Sequence, residues 1–167
     1  VAASGANVVP PYDDARVIAG QGTCAKELLE DVEDLDIVIA PIGGGGLISG
    51  TALSCRALSP HTQVLAGEPA NADDAYRSVK AGERLVEDAP DTIADGLKAS
   101  LGELNWGIVI RDVDDILLAS EEAIIETMRL IWQRMKIIVE PSCAVPLATI
   151  LRHPERFAGK RVGVILT

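Results

Sequence analysis

Short apolar runs rich in β-branched residues alternate along this chain with longer segments whose apolar positions recur at helical spacing. Ile37-Val38-Ile39-Ala40 is too short for a helix and apolar throughout, the mark of a parallel strand buried on both faces. Residues 63–67 and 115–118 and the terminal run 161–167 read the same way. Asn7-Val8-Val9, Ile108-Val109-Ile110 and Lys136-Ile137-Ile138-Val139 are further strand candidates. Between these runs the pattern predicts helices. One is capped by Asp13 or Asp14 and runs to about Asp31, and a second spans Leu47 to Leu58. Asp73 or Asp74 caps a third. A fourth is capped by Ser120, with Glu121 and Glu122 in its first turn and Ile124, Met128, Ile131 and Met135 on one core-facing stripe; Trp132 and Arg134 lie off it. A small-residue helix follows Glu140-Pro141-Ser142-Cys143-Ala144, and residues 83–90 and 92–98 read as loops. Strands and helices in alternation predict an α/β fold, a mostly parallel twisted sheet flanked by helices, in a single domain over residues 1–167.

Composition sharpens this picture. Apolar residues make up 48% of the 167 positions but aromatics only 3%, so the core is built from Val, Ile, Leu and Ala, as parallel α/β layers require. A net charge of −10 argues against nucleic acid or an anionic membrane surface as partner. No apolar run approaches the length of a membrane span. Cys24, Cys55 and Cys143 are odd in number and widely spaced, with neither metal-ligand nor disulfide spacing, which points to a reducing cytoplasm. No signal peptide opens the chain. Residues 1–5 read as the end of a helix and 161–167 as a strand with no turn after it, so the chain is expected to be part of a longer enzyme.

The candidate chemistry centres on Gly43-Gly44-Gly45-Gly46-Leu47, between the strand at 37–40 and the helix that follows. Glycines leave no Cβ in a ligand's way and tolerate unusual backbone angles. Amide groups at a helix N-terminus then converge on one point, an anion site suited to phosphate. The competing reading is a flexible turn. Neither the Gly-Lys-Ser/Thr of a P-loop nor the G-x-G-x-x-G spacing of a Rossmann turn is present. With no basic cluster nearby, a phosphate here would rely on backbone dipoles.

A second cluster is Glu68-Pro69-Ala70-Asn71-Ala72-Asp73-Asp74, at the carboxyl end of a strand, where α/β sheets place ligands. Glu68 and Asp74 could hold a hard cation through oxygen ligands; alternatively Asp73 and Asp74 only cap the next helix. Gly20 and Gly22 inside the first helix suggest close helix packing, the favoured reading, or a backbone approach to a neighbouring site. The acidic residues 30–36 read as a solvated surface, and Glu140 as either a buried anchor or a site residue.

Six motifs, in order, carry a family resemblance across almost the whole chain. They are Val17-Ile18-Ala19-Gly20-Gln21-Gly22-Thr23, the four glycines, Glu68-Pro69-x-Asn71-Ala72-Asp73-Asp74, Thr92-Ile93-Ala94-Asp95-Gly96, Glu140-Pro141-Ser142 and Val164-Ile165-Leu166-Thr167. With them the chain resembles the C-terminal half of pyridoxal-phosphate enzymes of the tryptophan-synthase-β type, and within these the serine/threonine dehydratases and serine racemases. The resemblance implies the large-domain portion of that fold. Gly43, Gly44, Gly45, Gly46 and Leu47 would hold the cofactor phosphate, Gly96 would lie along its ring, and the Thr167 hydroxyl would face the ring nitrogen. A neutral hydroxyl leaves that nitrogen largely unprotonated, which favours loss of a β-leaving group. Glu68, the Ala72 carbonyl and Asp74 resemble a Mg²⁺, Mn²⁺ or Ca²⁺ site.

The same resemblance implies dehydration of L-threonine or L-serine to a 2-oxo acid and ammonia, with serine racemase or hydroxyaspartate dehydratase as the alternative and a homodimer as the full-length state. There are departures. None of Lys26, Lys80, Lys98, Lys136 or Lys160 stands in the family's cofactor-lysine motif, which belongs to the N-terminal half with the substrate-carboxylate loop. A cofactor-binding fragment without activity is therefore a further reading of residues 1–167. Cys143 stands where a small Gly or Ala is usual.

Overall fold

The computed structural model describes residues 4–167; the first three positions of the helix end expected at 1–5 lie outside the described residues. The chain runs α1 (Ala15–Asp31), β1 (Ile37–Pro41), α2 (Gly46–Leu58), β2 (Gln63–Pro69), α3 (Asp74–Ala81), a 3-10 turn (Asp95–Leu97), α4 (Glu103–Asp112), β3 (Asp115–Ala119), α5 (Glu121–Met135), α6 (Pro141–Arg152), α7 (Pro154–Phe157) and β4 (Val162–Val164). The strands form one sheet in the order β3-β2-β1-β4, with every neighbouring pair parallel. Val38 lies opposite Val64 on one side and Gly163 on the other. β1 is buried along its whole length, as its continuous apolar run required.

Side chains alternate between two cores. Val38, Ala40, Val64, Ala66 and Ile116 join α2 residues such as Ile48, Ala52 and Cys55 on one face. Ile37, Ile39, Leu65 and Leu117 meet Phe157 on the other. A third cluster, with Ile124, Ile131, Ala144 and Ala148, joins α5 to α6. Close approaches are made where Cβ is missing. A Cβ on Gly67 of β2 would lie 3.0 Å from the Pro146 backbone of α6. One on Gly22 of α1 would lie 3.0 Å from the Gly50 carbonyl of α2, whose Ser54 donates to the Gly22 carbonyl at 2.7 Å. Gly22 is thus a packing glycine. Gly20 is not, because nothing lies within 4 Å of the position its Cβ would take.

Three strand expectations are corrected. Ile108–Ile110 belongs to α4; Val109 is buried while Ile110 is 48% exposed, a one-sided burial that a helix produces. Short β-branched runs do not by themselves separate helix from strand. Residues 136–139 form no strand. Lys136 ends α5 in the left-handed region (φ 62°), and Ile138 beyond it is 92% exposed. Residues 7–9 pair with nothing as a strand, and Val8 and Val9 are exposed. On α5 the stripe holds at Ile124 and Ile131, but Met135, the last residue of the helix, is 54% exposed.

Candidate active site

β1, β2 and β3 step outward in one direction, and β4 then returns to the other side of β1. The sheet order therefore reverses between β1 and β4, and open α/β sheets bind ligands in the crevice at the carboxyl ends flanking such a reversal. The glycine loop leaves the carboxyl end of β1 and Thr167 lies just past β4, so both open onto it. A cavity of about 450 Å³ sits there, and Gly43, Gly44, Gly45, Gly46, Leu47, Gly96 and Thr167 all line it. The residues singled out from three separated motifs are thus brought together. Tyr12, Gln21, Glu140 and Ser142 complete much of the wall. None of the five lysines lines it.

The glycine loop is built as much by packing as by openness. A Cβ on Gly44 would collide with the Tyr12 ring, and one on Gly46 would lie 3.1 Å from Tyr12. On Gly43 it would lie 2.8 Å from the Leu97 backbone. Gly45 has φ +93°, and its Cβ would lie 2.5 Å from Leu101 and 2.8 Å from Asn105. The chain itself fills the space that side chains would occupy, so the loop and the start of α2 line the cavity largely with backbone. The Gly44 carbonyl points away, accepting from Gly102 N at 3.0 Å and Asn105 Nδ2 at 2.9 Å. First-turn amides of a helix lack intrahelical partners, so this cradle fits a phosphate.

Beside the loop, where a Cβ on Gly43 would lie 3.4 Å from the Gly96 carbonyl, Ser142 Oγ accepts from Gly96 N at 3.1 Å. A Cβ on Gly96 would lie 3.0 Å from that oxygen and 3.2 Å from Glu140 Oε1. Gly96 therefore forms a flat wall with Glu140 behind it, which places Glu140 in the site. Cys143, one residue beyond Ser142, is buried; burial pushes its thiol up, against the pull of the Thr167 backbone.

Two helix starts are capped from a distance. Asp14 caps α1 by accepting from Arg16 N at 2.8 Å. Asp13 instead accepts from Glu103 N and Leu104 N, both at 3.0 Å, and so caps α4. Similarly, neither Asp73 nor Asp74 caps α3 with its side chain. Glu68 does so from the end of β2, accepting from Ala75 N at 2.9 Å and Tyr76 N at 2.8 Å. Asp73 pairs with Arg77 at 2.6 Å, while Asp74 accepts from Leu101 N at 3.0 Å. Glu68 and Asp74 are both buried. Burial pushes the Glu68 carboxyl up to about 8 against two amide bonds, with Asp74 and Asp73 adding repulsion, and burial raises Asp74 too. Once ionised, these two carboxyl groups would offer oxygen ligands of the kind a hard cation takes. Among the described residues, no group of three or more His, Cys, Asp or Glu is arranged for a metal, so such a cation would also draw on carbonyl oxygen.

A sequence profile described as "Pyridoxal-phosphate dependent enzyme" matches residues 1–167. The chain belongs to this family. It is 59% identical to a beta-hydroxyaspartate dehydratase of Paracoccus denitrificans over 99% of the chain and 53% of that protein. The crystal structure of a serine racemase from Dictyostelium discoideum matches with a TM-score of 0.92 at 43% identity, over 99% of the chain and 54% of the other. That of a T.th. threonine deaminase matches with a TM-score of 0.90 at 47% identity, over 94% and 59%. The chain thus spans about half the length of these relatives. For this pyridoxal-phosphate family member, the glycine cradle, the Gly96 wall and the Thr167 hydroxyl fit a phosphorylated, planar, nitrogen-containing ring.

Sequence reasoning missed Tyr12, Asp13 and Asn105. Pro10-Pro11-Tyr12 read only as the break after the strand candidate at 7–9, Asp13 as a local cap and Asn105 not at all. A polar side chain followed by an apolar run was the one available signal for Asn105, and its meaning depended on contacts about 60 and 90 residues distant.

Proposed function

We propose that the whole protein is a pyridoxal-phosphate-dependent ammonia-lyase acting on a β-hydroxy amino acid, with 3-hydroxyaspartate preferred over threonine and serine. The carrying observation is the 59% identity, across 99% of the chain, to a beta-hydroxyaspartate dehydratase. This moves the reading from threonine or serine to the hydroxyaspartate alternative. The cofactor supplies the electron sink that acidifies the substrate Cα. The residues of this chain do the positioning. The amides of 43–47 would hold the phosphate, Gly96 would leave room for the ring, and the Thr167 hydroxyl would serve the ring nitrogen without charging it. The β-hydroxyl leaves as water, and the product is hydrolysed to a 2-oxo acid and ammonia. The proton-accepting lysine belongs to the remainder of the longer protein, so residues 1–167 alone bind cofactor without turnover. Glu68, the Ala72 carbonyl and Asp74 would hold Mg²⁺, Mn²⁺ or Ca²⁺, whose charge would offset that of the two buried carboxyl groups once both ionise. We place the protein in the cytoplasm as a homodimer.

The cavity lining contains an acidic side chain, Glu140, and no basic one. Any cationic partner of a dicarboxylate substrate would therefore come from the remainder of the protein. The likeness to serine racemase supports a second reading, racemisation of serine on the same scaffold. Initial rates of 2-oxo acid formation by the full-length protein from 3-hydroxyaspartate, L-threonine and L-serine test the proposal, with D-serine measured in parallel. We expect kcat/KM for hydroxyaspartate to exceed the others at least tenfold. Faster turnover of threonine or serine, or D-serine as the main product, overturns it.

A further inference from the structure

We propose that Asn105 is a positioning residue for the phosphate cradle, acting by fixing the plane of the Gly44–Gly45 peptide. Asn105 is fully buried near the start of α4. Its Nδ2 faces three acceptors: the Gly44 carbonyl at 2.9 Å, the Tyr12 carbonyl at 3.3 Å and Asp13 Oδ1 at 3.4 Å. That acceptor set assigns the amide orientation, because Oδ1 in the same place would face oxygen on every side. Oδ1 itself is buried and has no hydrogen-bond partner. A buried polar atom left unpaired is costly, so packing alone would be served better by an apolar side chain of the same shape.

The reason for an amide here lies in the loop. A trans peptide is planar, with C=O and N–H on opposite sides. The donors that hold the Gly44 carbonyl, Asn105 Nδ2 and Gly102 N, both come from the start of α4. By the trans geometry of that peptide the Gly45 N–H points away from α4, and Gly45 lines the cavity. Between two glycines a peptide plane rotates at little intrinsic cost, since glycine accepts both signs of φ. The cradle needs an external tether to keep its amide aimed, and Asn105 is a side chain that supplies one. Gly45 permits the approach, since its Cβ would lie 2.8 Å from that of Asn105. Asp13 completes the assembly by capping α4 and thereby holding Asn105 in place.

This inference rests on the cavity being the cofactor-phosphate site, and the test separates the two. Dissociation constants of pyridoxal 5'-phosphate and of pyridoxal, which lacks the phosphate, are measured on the full-length apoprotein, with ³¹P NMR of the bound cofactor. Asn105→Leu keeps the shape and removes the donor; Asn105→Ala is the second variant, leaving a cavity rather than imposing a shape. Val109→Ala, buried in the same helix but turned to the core, is the control for lost stability. We expect either Asn105 variant to weaken pyridoxal phosphate at least tenfold, to change pyridoxal less than twofold, and to shift the ³¹P resonance. Val109→Ala should lower the melting temperature and keep the affinity ratio. Unchanged affinities, or equal loss for both ligands, would overturn the positioning role. A wild-type protein that binds pyridoxal as tightly as its phosphate would instead refute the phosphate site itself.

Discussion

Two glycine-to-alanine substitutions have opposite expected signs, and the structure supplies the magnitudes. At Gly45 the backbone is left-handed, at φ +93°, and a new methyl would lie 2.5 Å from Leu101 Cδ1 and 2.8 Å from Asn105 Cβ. A left-handed L-residue costs about 1–2 kcal/mol, and overpacking of this kind about 1–3 kcal/mol. Gly45→Ala should therefore destabilise by roughly 2–5 kcal/mol, summing the two ranges. At Gly20, inside α1, a methyl meets nothing within 4 Å and φ is outside the positive range. Alanine there gains roughly 1 kcal/mol of helix propensity and unfolded-state entropy. Equilibrium urea unfolding of the full-length protein and both variants, fitted with a common slope, measures the differences. Pyridoxal phosphate affinity should fall in Gly45→Ala and stay unchanged in Gly20→Ala. If Gly45→Ala unfolds at the wild-type midpoint, the close packing of Leu101 and Asn105 on the loop is wrong. If Gly20→Ala is destabilised, that glycine has a function that its open surroundings do not show.

Glu68 makes a pH prediction whose sign follows from its environment. Its carboxyl is raised from 4.5 to about 8, so the folded state holds the proton more tightly than the unfolded chain. That stabilisation is full below about pH 4.5 and is lost as pH rises through about 8. In chelator the urea midpoint should fall across this window, and Glu68→Gln should flatten the fall; a flat wild-type profile refutes the assignment. Added Mg²⁺ should restore stability at the alkaline end, by about 2.7 kcal/mol at a hundredfold excess over Kd. Asp74→Asn should blunt that response, whereas Asp73→Asn, which loses only the pair with Arg77, should keep it; equal melting curves with chelator and with cation in the wild type would sink the metal site. Among the three cysteines, native alkylation followed by peptide mapping should label Cys24, which is exposed, before Cys143 and Cys55, both buried, the latter with its thiol pushed up to about 11. Labelling of Cys55 at the rate of Cys24 would contradict the buried α2 core.

Local sequence was enough for the fold class, the main strands and the place of the glycine loop. These follow from short-range rules: a fully apolar five-residue run has one comfortable home, between helices in a parallel sheet, and strand–glycines–helix is an anion-binding turn whatever surrounds it. Gly96 and Thr167 were legible only through the family resemblance, since no short-range rule marks either residue as part of a site. Their convergence on one cavity was not legible. It depends on β4 inserting beside β1 rather than beyond β3, a choice made by long-range packing. Assembly of the sheet and its helices also decided which residue caps which helix. Asp13 and Glu68 look like local polar residues, yet they serve helices that begin 90 and 6 residues later. It decided that Ile108–Ile110 is helical, because the Asp13 carboxylate anchors the start of α4. It left Lys136–Val139 without a strand partner. Above all it decided the meaning of Asn105, whose one weak sequence signal says nothing of its role and which becomes the tether of the loop only when α4 is laid against the end of β1. Periodicity and propensity act over a few residues; tethers, remote caps and cavity walls are set by contacts between segments that meet only when the sheet is assembled.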